Sequence, residues 1–225
     1  MSTHQQAKTA TAPFSEVVGT VADLRALYRE PSAVVQAKST RQLDGPSRGF
    51  VARSTFVLVG TTDGHGGTAD VSPRGGPPGF VKVIDDQRIV IPDLNGNNRI
   101  DTLANIIDSP QVGLLLLVPG NGETLRINGR AVVTVADEVL DLFDSEFRRP
   151  RTAIGIEIDE VFLHCAKSIR RGGLWQPDTW NEAPISAGEI LVAALGDEAD
   201  FSAAEADAGL AAGYAHDLAL DAPGP

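Results

Sequence analysis

The amino-acid sequence predicts a mainly β protein, an antiparallel sheet or barrel with peripheral helices. Six or seven short runs rich in β-branched and aromatic residues follow one another, with Gly, Pro, Asp and Asn between them. Only one helical pattern interrupts this series, whereas parallel strands would need a crossover helix after each strand. The 225 residues are 42% hydrophobic and 22% charged, which is enough apolar material for one packed core.

The chain begins with a polar tail over residues 1–13. Thr20 and Asp23 have the spacing of a capping box, which predicts a helix from Thr20 to about Glu30. Pro31 ends this helix or begins a second short one. We assign residues 1–49 to an N-terminal tail with helices, 50–180 to the β domain and 181–225 to an Ala-rich acidic helical tail.

The strands of the β domain are predicted in order from residue 55. The run at 55–60 precedes a strong hairpin signal over 61–67 (TTDGHGG). A helix is predicted at 98–108, where apolar residues recur at helical spacing. A short cationic helix at 164–171 ends at two glycines, and helical patterns occupy the tail near 190–195 and 203–220. The other strand candidates lie at residues 79–84, 88–92, 112–119, 123–135 and 153–164.

Charge and composition exclude several classes of function. The 19 Lys and Arg against 30 Asp and Glu give a net charge of −11, so we expect no nucleic-acid or membrane partner. The single Cys165 forms no intramolecular disulfide, and the N-terminus has no secretory pattern, so we expect a cytoplasmic protein. One cysteine and four scattered histidines predict no metal site.

Three segments combine residues suited to ligand binding. In the first, residues 70–79 (DVSPRGGPPG), glycines permit close approach and prolines stiffen the turn. Arg74 is then positioned to pair with an anion or to lie against a flat ring. The alternative is a tight barrel corner with a solvent-facing Arg74.

The second segment, residues 95–102 (NGNNRIDT), leads a glycine-containing loop into a helix N-terminus. Free amides and the helix dipole suit a phosphate there, and Arg99 and Thr102 add a charge and a hydroxyl. The alternative is that Asn97 or Asn98 caps the helix and Arg99 is solvated. In the third segment, residues 164–175, Lys167 and Arg170 or Arg171 share one helical face near Trp175, and the alternative is a dipole-stabilised helix end with Trp175 in the core.

In this order, the segments resemble the pyridoxamine 5'-phosphate oxidase-like flavoproteins, and most closely a bacterial branch of FMN-dependent oxidoreductases of mostly unassigned substrate. The resemblance covers about residues 50–180. It is carried by residues 72–80 (SPRGGPPGF), 97–103 (NNRIDTL), 122–129 (GETLRING), 164–167 (HCAK) and 174–175 (LW).

The resemblance implies a six-stranded antiparallel split β-barrel that forms a homodimer with FMN at the subunit interface. The flavin ring would lie along the first segment and the phosphate at the second. The third segment would close over the cofactor, often from the partner subunit. The implied cofactor-binding residues are Ser72, Arg74, Gly75, Asn97, Asn98, Arg99, Asp101, Thr102, Lys167, Arg170 and Trp175.

The implied activity is an FMN-dependent transfer of hydride or electrons between NAD(P)H, or a similar donor, and a small acceptor. Arg99 is followed by Ile100 where authentic pyridoxamine phosphate oxidases have Arg and Lys together, and their basic C-terminal segment is replaced by an acidic tail. We therefore do not expect a phosphorylated vitamer as substrate, and we expect the tail to pack on the dimer. The alternatives are a non-catalytic flavin-binding protein and a deazaflavin- or heme-binding member of the superfamily.

No catalytic residue is assigned from the sequence. His164 is a candidate for proton transfer and would be the first heme ligand to test, but a histidine at a strand end is more often structural. Asp70 and Glu123 are weaker polar candidates. Cys165 is interpreted as a buried, inert thiol rather than an activated one.

Overall fold

The computed structural model describes residues 14–65, 67–180 and 185–223. The N-terminal tail 1–13, residue 66 of the predicted hairpin turn and residues 181–184 lie outside the described residues. The contacts divide the chain into two compact units, Met1–Lys38 and Ser39–Pro225. The domain boundaries expected after residues 49 and 180 stay predictions.

The first unit contains two short helices, α1 (Val21–Ala26) and α2 (Ala33–Ala37). The Thr20 hydroxyl accepts a hydrogen bond from the Asp23 amide, which confirms the predicted cap of α1. Ser32 caps α2 in the same way. The helix α1 ends before the predicted Glu30, and every described residue of this unit is exposed.

The second unit is built on one antiparallel sheet of seven strands in the order β2-β1-β5-β6-β7-β4-β3. The predicted fold class is therefore confirmed, with one strand more than the six of the expected split barrel. The outer strands β2 and β3 do not pair with each other, so the sheet is not closed. The strands are β1 (Phe56–Thr62), β2 (Ala69–Gly75), β3 (Lys82–Val83), β4 (Arg88–Asp93), β5 (Gln111–Leu117), β6 (Thr124–Thr134) and β7 (Thr152–His164).

The strand predicted at 79–84 is reduced to the two residues of β3. Two prolines and Gly79, which has φ +87°, hold the preceding chain in a turn, and Phe80 and Val81 enter the core from it. The chain can therefore pair with β4 only after residue 81.

Six helices of the second unit lie around the sheet. Helix α4 starts at Asp101 rather than at the predicted residue 98, because Asn98 and Ile100 have left-handed backbones with φ +57° and +56°. Helix α6 ends before Gly172, as predicted, but it begins at Lys167 rather than at residue 164, because His164 is still part of β7. The helices are α3 (Gly45–Val51), α4 (Asp101–Asp108), α5 (Asp137–Leu140), α6 (Lys167–Arg171), α7 (Ala187–Leu195) and α8 (Ala203–Asp221).

The core consists of side chains from the central strands, closed by Phe80 and Phe143. Every second residue of β1 and β5 is buried, as the two-residue period of a strand requires. The pairing of β6 with β7 shifts register at Gly129. A Cβ there would lie 2.1 Å from the Glu157 carbonyl oxygen, so this bulge accepts only glycine.

Candidate functional site

A cleft of about 1280 Å³ lies in the second unit, bordered by β2, the loop after β4 and the segment before β7. It contains eight of the predicted cofactor-binding residues. The first segment contributes Ser72, Arg74 and Gly75, and the second contributes Asn97, Asn98, Arg99, Asp101 and Thr102. The strands β3 and β4 separate the two segments in the sequence, and the fold places both segments at the same cleft.

One wall of the cleft is the edge strand β2, which pairs only with β1. Pro73 lies opposite Leu58 in this pairing. Because proline has no N–H to donate, it fits an edge strand with its nitrogen turned away from β1. The backbone groups of Val71 and Gly75 lie on that same outer side by strand alternation, so they are free of the β1 ladder. This edge offers donors and acceptors to a flat heterocycle.

Arg74 is held within the cleft rather than pointing into solvent, and its side chain is only 20% exposed. Its Nη1 donates to the Pro73 carbonyl at 2.9 Å and to the Ser72 hydroxyl. Its Nη2 lies 3.9 Å from Oδ1 of Asp93, at the end of β4. Its Nε is buried and has no hydrogen-bond partner among the described residues. A buried donor without a partner is costly, which favours a ligand at this atom.

The carboxyl of Asp93 carries the main electrostatic perturbation of the cleft. Burial raises its pKa above the usual value, and the guanidinium groups of Arg74 and Arg151 partly oppose the rise. The Glu146 carboxylate pairs through Oε1 with Lys82 at 2.6 Å, while its Oε2 is buried without a partner among the described residues. Polar groups without partners thus gather at this cleft.

The loop before α4 forms the end of the cleft that is suited to binding a phosphate. The Asn97 side chain accepts from the Arg99 amide at 3.0 Å, outside the helix, and Ile100 at the N-cap provides no side-chain cap. The alternative in which Asn97 or Asn98 caps the helix is therefore wrong, and the first amides of α4 keep their donor capacity. Arg99 is exposed and donates to Asp101 at 2.8 Å, whereas Thr102 is buried.

Two parts of the cleft were missed from the sequence. The segment 146–151 contributes three arginines. The run RRPR immediately before a predicted strand, in a chain with an excess of acidic residues, could have indicated this part of the cleft. The end of α8 contributes Leu218, Leu220 and Asp221. No local pattern indicates that a C-terminal helix packs beside a loop more than a hundred residues earlier in the sequence.

Asp221 ties the end of α8 to two walls of the cleft. Its Oδ1 accepts from the amide and the side-chain Nδ2 of Asn95 at 3.0 and 2.7 Å. Its carbonyl oxygen accepts from the Arg148 amide at 2.8 Å. A carboxylate at a helix C-terminus is unfavourable for the dipole, so these contacts explain its position.

The third predicted segment does not line this cleft. Lys167 and Arg170 are exposed on α6, and Trp175 is half-buried, with its Nε1 donating to the Asn121 carbonyl at 2.7 Å. Trp175 is thus packed against the β5–β6 turn of its own chain. Cys165 is exposed, so its interpretation as a buried thiol is wrong: it lies just past β7, beyond the cover of the sheet.

The residues that the structure describes contain no group of three or more His, Cys, Asp or Glu side chains arranged to hold a metal ion. Within the same residues, no helix has the length and apolar character needed to cross a membrane. His164 is exposed at the end of β7, with its ring centroid 5.9 Å from that of Phe162. It is not among the residues that border the cleft.

An antiparallel sheet left open beside a cleft of this composition is the architecture of a split-barrel protein. A sequence profile described as pyridoxamine 5'-phosphate oxidase matches residues 43–165, more than half of the chain. The chain therefore belongs to the pyridoxamine 5'-phosphate oxidase-like family, whose members generally bind a flavin. The match includes all seven strands, β1 to β7, and the helices α6, α7 and α8 follow it in the chain.

Several solved structures are similar to parts of this chain. HupZ of group A Streptococcus is 14% identical with a TM-score of 0.45, over 54% of this chain and 93% of its own. A NimC/NimA family protein of Clostridium acetobutylicum is 17% identical with a TM-score of 0.39, over 54% and 94%. An F420 reductase is 14% identical with a TM-score of 0.39, over 54% and 98%. No curated protein matches the sequence, and the family assignment rests on the sequence profile.

The contacts of Asp221 predict that Asp221→Ala loosens the loop before α4. The change removes two hydrogen bonds to Asn95, at a cost of about 1 kcal/mol for a partly exposed group. We expect faster amide hydrogen exchange at residues 93–100. The control is Asp217→Ala on the same helix, whose side chain has no such contact among the described residues. Equal exchange in both variants would show that α8 does not hold the loop.

Proposed function

We propose that the protein is an FMN-dependent oxidoreductase that transfers hydride or electrons between a nicotinamide or similar donor and a small acceptor. One observation carries the proposal: a single cleft joins the free edge of β2, the unpartnered Nε of Arg74 and the uncapped start of α4. These features match the needs of a flat heterocycle at one end and a phosphate at the other.

The residues of the cleft fit FMN in type and position. The outer edge of β2, with Ser72 and Gly75, would take the ring, and Arg74 Nε would donate to a ring acceptor. The amides of α4, Arg99 and Thr102 would hold the phosphate, with Asn97, Asn98 and Asp101 shaping the loop around it. An anion at a helix N-terminus is favoured by the dipole as well as by the free amides.

The bound flavin supplies the redox chemistry, and the protein supplies binding, orientation and electrostatics. Arg74 brings a fixed positive charge to the floor of the cleft, where its links to Ser72 and Pro73 restrict its motion. The carboxyl of Asp93 partly offsets the positive charge of Arg74, because the two groups lie 3.9 Å apart. The exposed loop at Arg99 admits the phosphate without a large rearrangement.

The first test is the chromophore of the protein purified without added cofactor. We expect a flavin absorption spectrum and, after denaturation, a released molecule with the mass of FMN. Release of a deazaflavin or a heme would show that the protein binds this cofactor of the superfamily instead of FMN. A protein that is colourless and takes up no FMN would remove the flavin function. A flavin that no donor reduces would indicate a non-catalytic binding protein.

Arg99→Ala is expected to weaken FMN binding far more than riboflavin binding, because only FMN carries the phosphate charge. A lost charge-assisted hydrogen bond corresponds to roughly tenfold to hundredfold in affinity, or about 1.5–3 kcal/mol. Fluorescence titration with both ligands measures the difference. Arg130→Ala, on β6 and outside the cleft, is the matched control. An equal loss of affinity for FMN and riboflavin would show that Arg99 does not bind the phosphate.

We further propose that the protein is a homodimer in which Lys167, Arg170 and Trp175 of each subunit close the cleft of the other. These residues do not line the cleft of their own chain, and the two cations are exposed, which supports this arrangement.

Mixed dimers test this arrangement. Chains carrying Arg99→Ala and chains carrying Arg170→Ala are each expected to bind FMN weakly. After unfolding and refolding together, heterodimers would each contain one intact cleft, so about a quarter of all sites recover tight binding. Recovery would be absent if both arginines serve the same cleft from one chain. Refolding each variant alone is the control.

A further inference from the structure

The cleft contains three arginines that the flavin assignment leaves unused. Its lining includes Arg74, Arg99, Arg148, Arg149 and Arg151, although the whole chain has only 19 Lys and Arg against 30 Asp and Glu. Such a concentration of guanidinium groups in an acidic chain requires a local explanation.

Three of these five arginines are compensated by nearby carboxylates. Arg74 faces Asp93 and Arg99 pairs with Asp101. Arg149 pairs with two acids outside the cleft, Asp137 and Asp141.

Arg148 and Arg151 are exposed at the cleft, and their side chains form no ion pair or hydrogen bond with any described residue. Arg151 is near enough to Asp93 to lower the pKa of that carboxyl, but it makes no direct contact with it. Two guanidinium groups of one cleft therefore retain their full donor capacity.

Both residues have fixed backbones. The Arg148 amide donates to the Asp221 carbonyl at 2.8 Å, and Arg151 lies between buried Pro150 and the start of β7. The positions from which their side chains reach the cleft are thus set by α8 and by the sheet. A pre-positioned pair of planar donors suits a carboxylate or a phosphate.

The surroundings favour a carboxylate on an apolar body. Leu218 and Leu220 at the end of α8 and Phe147 line the same cleft. Five carboxyl residues also line it, Asp70, Asp93, Asp101, Glu146 and Asp221, so the five guanidinium groups leave no formal excess of positive charge. A single negative charge fits that balance better than the two charges of a phosphate monoester.

We propose that Arg148 and Arg151 form the substrate subsite of the cleft, which binds the carboxylate of an amphipathic organic acid while Leu218 and Leu220 contact its apolar part. This inference rests on the proposed flavin function, because it places the substrate beside the cofactor. The subsite itself is built only from side chains of this chain, so its binding is measurable with or without flavin.

The test compares phenylacetate with its uncharged analogue phenylacetamide by calorimetric titration of the full-length protein, both FMN-loaded and flavin-free. We expect phenylacetate to bind at least about tenfold more tightly. Arg148→Gln and Arg151→Gln should each remove most of this preference, while Arg148→Lys and Arg151→Lys retain part of it. Arg130→Gln, which removes the same charge outside the cleft, should leave it unchanged. Thermal melting confirms that each variant is folded.

Three outcomes would overturn the subsite. Equal binding of the two probes would show that the cleft does not recognise a carboxylate. Tighter binding of phenyl phosphate than of phenylacetate would contradict the preference for one charge. A selective loss of FMN over riboflavin in the Arg148 and Arg151 variants would make them ligands of the cofactor phosphate. If the protein takes up no FMN but keeps the carboxylate preference, the flavin function fails and the anion site stands.

Discussion

The contact between Arg74 and Asp93 joins two strands that the sheet does not connect. Arg74 lies on β2 at one edge, and Asp93 ends β4, with β1, β5, β6 and β7 between them in the order of strands. No backbone ladder links β2 to β4, so the 3.9 Å approach of the two charges is a direct link across the open side. The cleft exists because the sheet stays open there, and its floor is made of charged groups.

The Asp93 carboxyl in the floor of the cleft has a pKa that departs from its usual value. Burial raises the pKa of Asp93 even with two arginines nearby, which indicates that desolvation outweighs their attraction. Partly buried opposite charges contribute little net stability, because their attraction is offset by the loss of hydration. Stability alone therefore does not explain the pair of Arg74 and Asp93, and Arg74 Nε has no hydrogen-bond partner among the described residues.

Backbone strain is concentrated at the other end of the cleft. Ile100 has φ +56°, an unfavourable conformation for a β-branched residue, and its side chain is 62% exposed, so burial does not offset the cost. The same turn leaves the start of α4 without a side-chain cap. Strain of this kind persists where the surrounding structure holds it in place, and the Asp221 contacts to Asn95 restrain this loop from outside.

The sequence by itself determined the antiparallel class, most strand positions and eight residues of the cleft. Strand alternation and turn residues are local, and the glycine, proline and arginine patterns at residues 70–79 and 95–102 are local as well. The late start of α4 could not be predicted, because a helical apolar pattern contains no sign of a left-handed residue at Ile100. The short β3 likewise follows from how Phe80 and Val81 pack.

The tertiary structure decided which of these local pieces share a site. It brought β2 to the loop before α4, and it added the arginines of 146–151 and the end of α8, which no spacing in the sequence connects. It also separated Lys167, Arg170 and Trp175 from the cleft of their own chain. Contacts between distant segments depend on how the sheet twists and where it stays open, and that is a property of the packed chain rather than of any short run of residues.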